Sequence, residues 1–170
     1  YILGFVLGPC FNAAGRLSSA KKTVELLFAK GQEAKSLARA LYELNQERKE
    51  LTDEGIALAV ADIEEKKKEK EKLLVVHLPE VHESLAGIIA GRLKERYYRP
   101  SIVFTTTEKG LKGSGRSIEE YNMAKELQGV KNHLAKFGGH PMAAGMTLKE
   151  GALKAFEEEL LQRCALPKEL

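Results

Sequence analysis

From Gln32 to Lys72 leucine recurs every seven residues, at Leu37, Leu44, Leu51 and Leu58, with Leu41 and Val60 nearby and charged residues in most other positions. That spacing keeps the apolar side chains on one stripe of an α-helix, so a single long helix is expected over residues 31–72. Such a helix either pairs with a second copy as a coiled coil or joins two bodies of one chain. Only about four repeats occur and Gly55 interrupts the stripe, which favours the connecting arm. The arm is expected to run on through Glu64-Glu65-Lys66-Lys67-Lys68-Glu69-Lys70-Glu71-Lys72. There the glutamates nearly cancel the lysines, so a solvated helix surface is the expectation and nucleic-acid binding by the run the weaker alternative.

The flanking segments have other textures. The apolar stretch Tyr1 to Leu7 is cut by glycine, lacks a basic leader and is far too short to span a bilayer, so a buried strand is expected. Ser18 to Lys30 reads as a short helix capped by Ser18 or Ser19, with Val24, Leu27 and Phe28 on one face and Gly31 closing it. Beyond Lys72 short apolar runs alternate with amphipathic stretches, the pattern of an α/β domain. Strands are expected at Leu73 to Leu78, Ser101 to Thr106 and Ala143 to Leu148, with an edge strand or hairpin arm at Gly110 to Ser117. Helices are expected at Ser84 to Tyr97, around Met123 to Phe137, and at Gly151 to Cys164; Ala86, Gly87, Ala90 and Gly91 permit close packing of the first of these. The division is therefore 1–30, 31–72 and 73–165.

With 170 residues, 44% of them hydrophobic, the chain is long enough to bury one good core. Its first methionine is Met123, so it is expected to be a segment of a longer protein or a processed chain. Cys10 and Cys164 lie at opposite ends without partner spacing, which suits a reducing, cytoplasmic setting and supports neither a disulfide scaffold nor a thiolate metal site. The net charge of +3 is unevenly spread: residues 1–30 and 73–148 each carry +3, 31–72 carry −2 and 149–170 carry −1. The positive surplus falls where the glycine motifs are, as a phosphate-bearing partner would require, although solubility alone also accounts for charges of this size.

Two glycine-punctuated motifs, Gly8-Pro9-Cys10-Phe11-Asn12-Ala13-Ala14-Gly15-Arg16 and Gly138-Gly139-His140-Pro141-Met142-Ala143-Ala144-Gly145, each set a polar side chain among residues too small to obstruct a ligand. Asn12 and Arg16 share a side if their segment is helical or tightly turned; the plain alternative is a capping Asn12 and a surface-paired Arg16. His140 is suited to donate to a phosphate, to act as acid or base, or to satisfy a backbone group. A third candidate, Gly113-Ser114-Gly115-Arg116-Ser117, offers two hydroxyls and a planar guanidinium that matches phosphate oxygens, although glycine-serine turns with one arginine are common surface loops. His77 and His82 have no cysteine or aspartate beside them and make a poor metal site. Two-metal phosphodiester chemistry needs clustered carboxylates and imidazoles, yet the only aspartates are Asp53 and Asp62, both on the arm. Walker, dinucleotide-binding and nucleophile-elbow motifs are absent too, so phosphate-gripping parts occur without a visible chemical engine.

Taken in order, Gly8 to Leu17, His82 to Leu93, Arg99-Pro100-Ser101-Ile102-Val103, Gly113 to Ser117 and Phe137 to Gly145 resemble the C-terminal portion of the RecJ family, single-strand-specific DNA exonucleases of the DHH phosphoesterase superfamily. The resemblance covers almost the whole chain. It implies a mixed β-sheet flanked by helices, the DHH-associated domain, at 73–165, with residues 1–30 as the tail of the catalytic domain. It implies a hydrolase that digests single-stranded DNA from the 5′ end with Mn²⁺ or Mg²⁺, in DNA repair and recombination, with metal ligands upstream and neither metal nor catalytic residue within the chain. It assigns Arg16, Ser114 and Arg116 to a 5′-phosphate pocket, and sets Asn12, Gly138, Gly139 and His140 among the nucleic-acid-binding residues. Single-stranded DNA is the expected partner, and no membrane is. Two alternatives stay open: a phosphodiesterase of the same superfamily acting on short RNA or cyclic dinucleotides, and a non-catalytic nucleic-acid-binding module.

Overall fold

The structure is a computed structural model that describes residues 1–167. They fall into two compact units, Tyr1–Asp53 and Glu54 onward.

In the first unit the apolar Ile2–Leu7 is a π-helical segment rather than a buried strand, and none of its residues is buried. It leads directly into α1 (Gly8–Leu17), with Pro9 in the first turn of α1. A run apolar at every position lacks the period-two alternation that commits a segment to a sheet, and helix needs no partner strand. The Gly8 to Arg16 motif, open between a helix and a tight turn, is helical, with Gly8 at φ −54°. Before α2 (Lys21–Phe28) the Ser19 hydroxyl accepts from the Lys21 N–H at 3.2 Å, but the capping position is Ala20, which makes no side-chain cap bond, and not Ser18 or Ser19. Thr23 Oγ1 donates to the Phe11 carbonyl at 3.2 Å and ties α2 to α1. Val24, Leu27 and Phe28 share a face as expected, but that face is exposed. Gly31, at φ +58°, turns the chain into α3 (Gly31–Glu65).

Helix α3 stops at Glu65 instead of continuing to Lys72. Lys67 breaks it with a left-handed φ of 55°. The lysines beyond are not merely solvated: the Lys68 ammonium pairs with Glu157 and its side chain is only 14% exposed, while Lys72 Nζ donates to the Cys164 carbonyl at 3.1 Å. Long-range partners, invisible in local sequence, thus set where the helix ends.

The second unit is built on one mixed sheet of β1 (Leu74–His77), β2 (Ser101–Thr107), β3 (Gly110–Arg116), β4 (Leu134–His140) and β5 (Ala143–Leu148), in the order β1-β2-β3-β5-β4. Only β1 and β2 are parallel, and their crossover carries a 3₁₀ turn (Glu83–Leu85) and α4 (Ala86–Tyr97). As expected, β3 is a hairpin arm with β2, but it occupies the middle of the sheet and not an edge. Its glycines belong there for a packing reason, since a Cβ at Gly113 would enter the Phe104 ring and one at Gly115 would crowd Met123 at 3.1 Å. The helical region expected around Met123 to Phe137 is divided: α5 (Met123–Gly129), a 3₁₀ turn at Lys131–His133, and then strand β4. Pairing with β5, a tertiary event, claims Leu134 to Phe137 for the sheet. The chain closes with α6 (Leu153–Arg163).

Alternate strand residues feed two cores. On one face Ile102, Phe104, Met146 and Leu148 pack with Met123 and Leu127 of α5 and Phe156 and Leu160 of α6. The Phe104 and Phe156 rings meet edge to face, 5.6 Å between centroids. On the other face Leu74, Val76 and Val103 meet Ile89, Ala90 and Leu93 of α4, with Ala59 and Ile63 of α3. Helix α4 lies over β2 and β3. Toward β5 and β4 this second face opens to solvent, with Gly138, His140 and Gly145 exposed.

Candidate functional site

The open face is organised by strand register. Arg116 lies opposite Ala143, itself opposite His140; Ser114 lies opposite Gly145 and then Gly138; Lys112 lies opposite Thr147 and then Lys136. Because side chains alternate across a strand, all nine positions face the same way. They form three ranks, of which the middle, Ser114-Gly145-Gly138, is nearly free of side chains. A ligand can therefore reach the main chain between a guanidinium-imidazole rank and a lysine rank. A cleft of about 310 Å³ lies at the lysine end, lined by Lys112, Lys136, Gly138, Gly145 and Thr147 among others. The structure thus brings Ser114, Arg116, Gly138 and His140 together on one surface, all within the second unit. Gly138 and Gly139 are extended residues of β4. Gly139 sits on the opposite face against Ala144, where a Cβ would lie 2.5 Å from the Ala144 Cα, so close strand approach requires glycine there.

Arg116 is half-buried beside α4. Its Nη1 donates to Ser114 Oγ at 3.2 Å and to the Gly115 carbonyl at 2.8 Å, so the guanidinium is held along its own strand and next to the hydroxyl. Arginine bonded in this way presents a planar set of donors suited to phosphate oxygens. His140 Nδ1 accepts from the Met142 N–H at 3.3 Å. In the neutral ring that bond places the proton on Nε2, which makes the exposed edge a donor. The hairpin tip is anchored, because Ser117 N donates to the Met142 carbonyl at 2.9 Å and Met123 N to the Pro141 carbonyl at 3.0 Å. Arg116 and His140 thus stand on a fixed frame.

Asn12 and Arg16 lie one turn apart on α1, in the first unit, with Asn12 exposed. Asn12 lies within the helix and so does not cap it.

Three residues of the open face carry no motif and do not stand out in the sequence: Lys112, Lys136 and Thr147. Strict alternation of exposure in β3 and β5 is the signal that would have found them, but it becomes usable only once the strand partners are known. Lys112 also pairs with Glu83 at 2.6 Å. That hydrogen bond is the main reason the Glu83 carboxyl titrates below the usual carboxylate range. Lys112→Ala should raise the Glu83 titration midpoint back toward an ordinary glutamate, read by NMR of its side-chain carboxyl. The carboxylate form is the one stabilised, so any contribution of this exposed pair to folding is present at neutral pH and fades as the solution is acidified through the Glu83 midpoint.

His77 and His82 have local partners. His77 Nε2 lies 3.1 Å from Thr106 Oγ1, and His82 Nδ1 accepts from the Ser84 N–H at 3.3 Å. Burial, followed by the Lys66 charge, lowers the His77 pKa and so disfavours its charged form. Among the described residues no three His, Cys, Asp or Glu side chains gather in a way that could hold a metal ion. Among them also, no helix is long and apolar enough to cross a membrane.

The DHHA1 domain family matches residues 70–166. The single-stranded-DNA-specific exonuclease RecJ of Escherichia coli is 42% identical over 166 residues, covering 92% of this chain and 29% of that protein. The protein of the same name from Bacillus subtilis is 39% identical over 150 residues, covering 86% of this chain and 19% of its own length. Among solved structures, Thermus thermophilus RecJ in complex with Mg²⁺ superposes with a TM-score of 0.85 at 28% identity, covering 98% of this chain and 26% of that one. An exonuclease RecJ bound to manganese superposes with a TM-score of 0.86 at 28% identity, covering 98% of this chain and 42% of that one. The chain therefore spans less than half the length of each of these relatives.

Proposed function

The chain belongs to the DHHA1 domain family, and on that footing we propose that it is the strand-holding part of a metal-dependent exonuclease that digests single-stranded DNA from the 5′ end. The open sheet face supports this reading most directly, because Ser114, Arg116 and His140 stand there beside glycines that leave the main chain approachable. Arg116 and Ser114 hold the 5′-phosphate, and His140 donates from Nε2 to a phosphate oxygen. Gly138 keeps the open face of β4 clear of side chains, and Gly139, on the opposite face, lets β4 and β5 lie close together. Asn12 and Arg16 of α1 contribute further phosphate contacts, and Lys112 and Lys136 add positive charge along the strand's path. Residues 1–30 form the tail of the catalytic domain, 31–72 the connecting segment and 73–165 the DNA-holding domain.

The described residues do not fit a Mg²⁺ or Mn²⁺ centre, for no group of three or more His, Cys, Asp or Glu side chains among them could hold an ion. The ions belong to ligands elsewhere in the longer protein, and no chemical step is assigned to this chain. Its contribution is positional: fixing the terminal phosphate fixes which phosphodiester is presented for cleavage, and with it the direction of digestion. Work of this kind suits a cytoplasmic enzyme of DNA repair and recombination.

The test compares substrates. A full-length enzyme carrying this chain, given Mn²⁺, should digest 5′-phosphorylated single-stranded DNA in preference to duplex DNA, RNA di- and trinucleotides and cyclic dinucleotides. Preference for the short RNAs or cyclic dinucleotides would move the assignment to that branch of the superfamily, and binding without digestion of anything would leave a non-catalytic module. Single-strand binding should also weaken as salt rises, since each neutralised phosphate releases counterions.

A further inference from the structure

We propose that Gly87 of α4 is a positioning residue for the phosphate clamp: its missing side chain is the space in which the Arg116 guanidinium and the Ser114 hydroxyl are set. The proposal rests on reading Ser114 and Arg116 as that clamp, and it adds a residue from a different element.

A Cβ built on Gly87 would lie 2.7 Å from Arg116 Nη2, 2.9 Å from Ser114 Oγ and 3.3 Å from Arg116 Cζ. All three atoms belong to the two side chains that face the phosphate. The three atoms nearest to such a methyl group therefore all belong to the clamp itself. Gly91, one turn further along α4, is the internal comparison. Its Cβ would meet only Arg116 Cγ, at 4.0 Å, which is ordinary van der Waals contact.

Moving the ends of flexible side chains takes little energy, and alanine is a better helix former than glycine. The Gly87→Ala protein is therefore expected to fold at least as stably as the parent. What changes is where the guanidinium points. With Nη1 already engaged by Ser114 Oγ and the Gly115 carbonyl, a methyl at position 87 pushes Nη2 aside, and the planar donor set no longer lines up with the phosphate oxygens.

The test uses full-length enzyme carrying this chain, with 5′-phosphorylated and 5′-hydroxyl single-stranded DNA of one sequence. For Gly87→Ala the preference for the phosphorylated substrate, as a ratio of kcat/KM values, should fall about tenfold or more, with the melting temperature unchanged or raised. Gly91→Ala should keep the preference. Gly87→Ala combined with Arg116→Ala should lose no more than Arg116→Ala alone, because both act on the same group. Retention of the preference by Gly87→Ala while Arg116→Ala abolishes it would overturn the role of Gly87 and leave the clamp intact. If Arg116→Ala also retains it, the clamp and its positioning residue fall together. A lowered melting temperature in Gly87→Ala would count against the proposal as well, since the methyl would then be displacing backbone.

Discussion

Arg116→Ala in a full-length enzyme carrying this chain is expected to lose about 1.5 to 3 kcal/mol of transition-state binding on 5′-phosphorylated single-stranded DNA, roughly 10- to 150-fold in kcat/KM. The figure is that of one hydrogen bond to a charged group, and a bidentate contact would put it at the upper end. On 5′-hydroxyl DNA the loss should be much smaller, since that substrate offers no terminal phosphate for the guanidinium. Steady-state digestion of the two substrates measures the difference directly. Equal losses on both would remove the pocket assignment, because a general electrostatic or folding effect does not distinguish one end group from another. Stability should change little. The side chain is half-buried, and the hydrogen bonds from its Nη1 run to groups of its own strand.

Phe104→Ala should affect folding instead, lowering stability by about 3 to 5 kcal/mol in a denaturant titration. Phe104 is fully buried at the centre of the sheet, stacked edge-on to Phe156 and laid over the bare backbone of Gly113. Truncation leaves a cavity bounded by two rigid elements, a strand on one side and α6 on the other, which have little room to collapse into it. Phe104→Leu, which keeps most of the volume, should be clearly milder. Similar effects from the two substitutions would mean that the sheet and α6 are less tightly coupled than their geometry implies.

The open face bears on how far sequence reasoning reaches. Ser114, Arg116 and His140 were legible because glycine-flanked polar residues are rare among core-forming patterns, and that local peculiarity survives whatever the chain does elsewhere. Their secondary structure was legible only in part. Gly110 to Ser117 reads as an edge strand or hairpin arm and is a hairpin arm with β2, but its place in the middle of the sheet and the strand through Gly138-Gly139 leave no local mark, because low strand propensity is a property of the residue alone. What holds them in strands is external: the Phe104 ring needs the bare Gly113 backbone, and β5 needs the bare Gly139. In the same way Gly87 reads in the sequence only as a small helix residue that allows close packing. That the approaching group is the Arg116 guanidinium appears only when α4 lies on β3.

The errors at the chain's beginning have a related cause. Tyr1 to Leu7 is apolar throughout, and hydrophobicity without a period specifies burial, not conformation. The segment is helical and exposed.

What the sequence determined by itself was whatever depends on neighbours within a turn or two: the existence of α2, α3, α4 and α6, the strands β1, β2 and β5, and the glycine-flanked polar side chains Ser114, Arg116 and His140. Only tertiary structure decided where α3 stops, that β3 is central, that Leu134 to His140 is a strand, and that the Gly113 to Ser117 and Gly138 to Gly145 motifs meet across paired strands on one surface. Helical hydrogen bonds and turn chemistry close over three or four residues and leave their mark in local spacing. Strand pairing and ion pairs such as Lys68 with Glu157 close over tens of residues, and the local pattern carries no record of which partner will arrive.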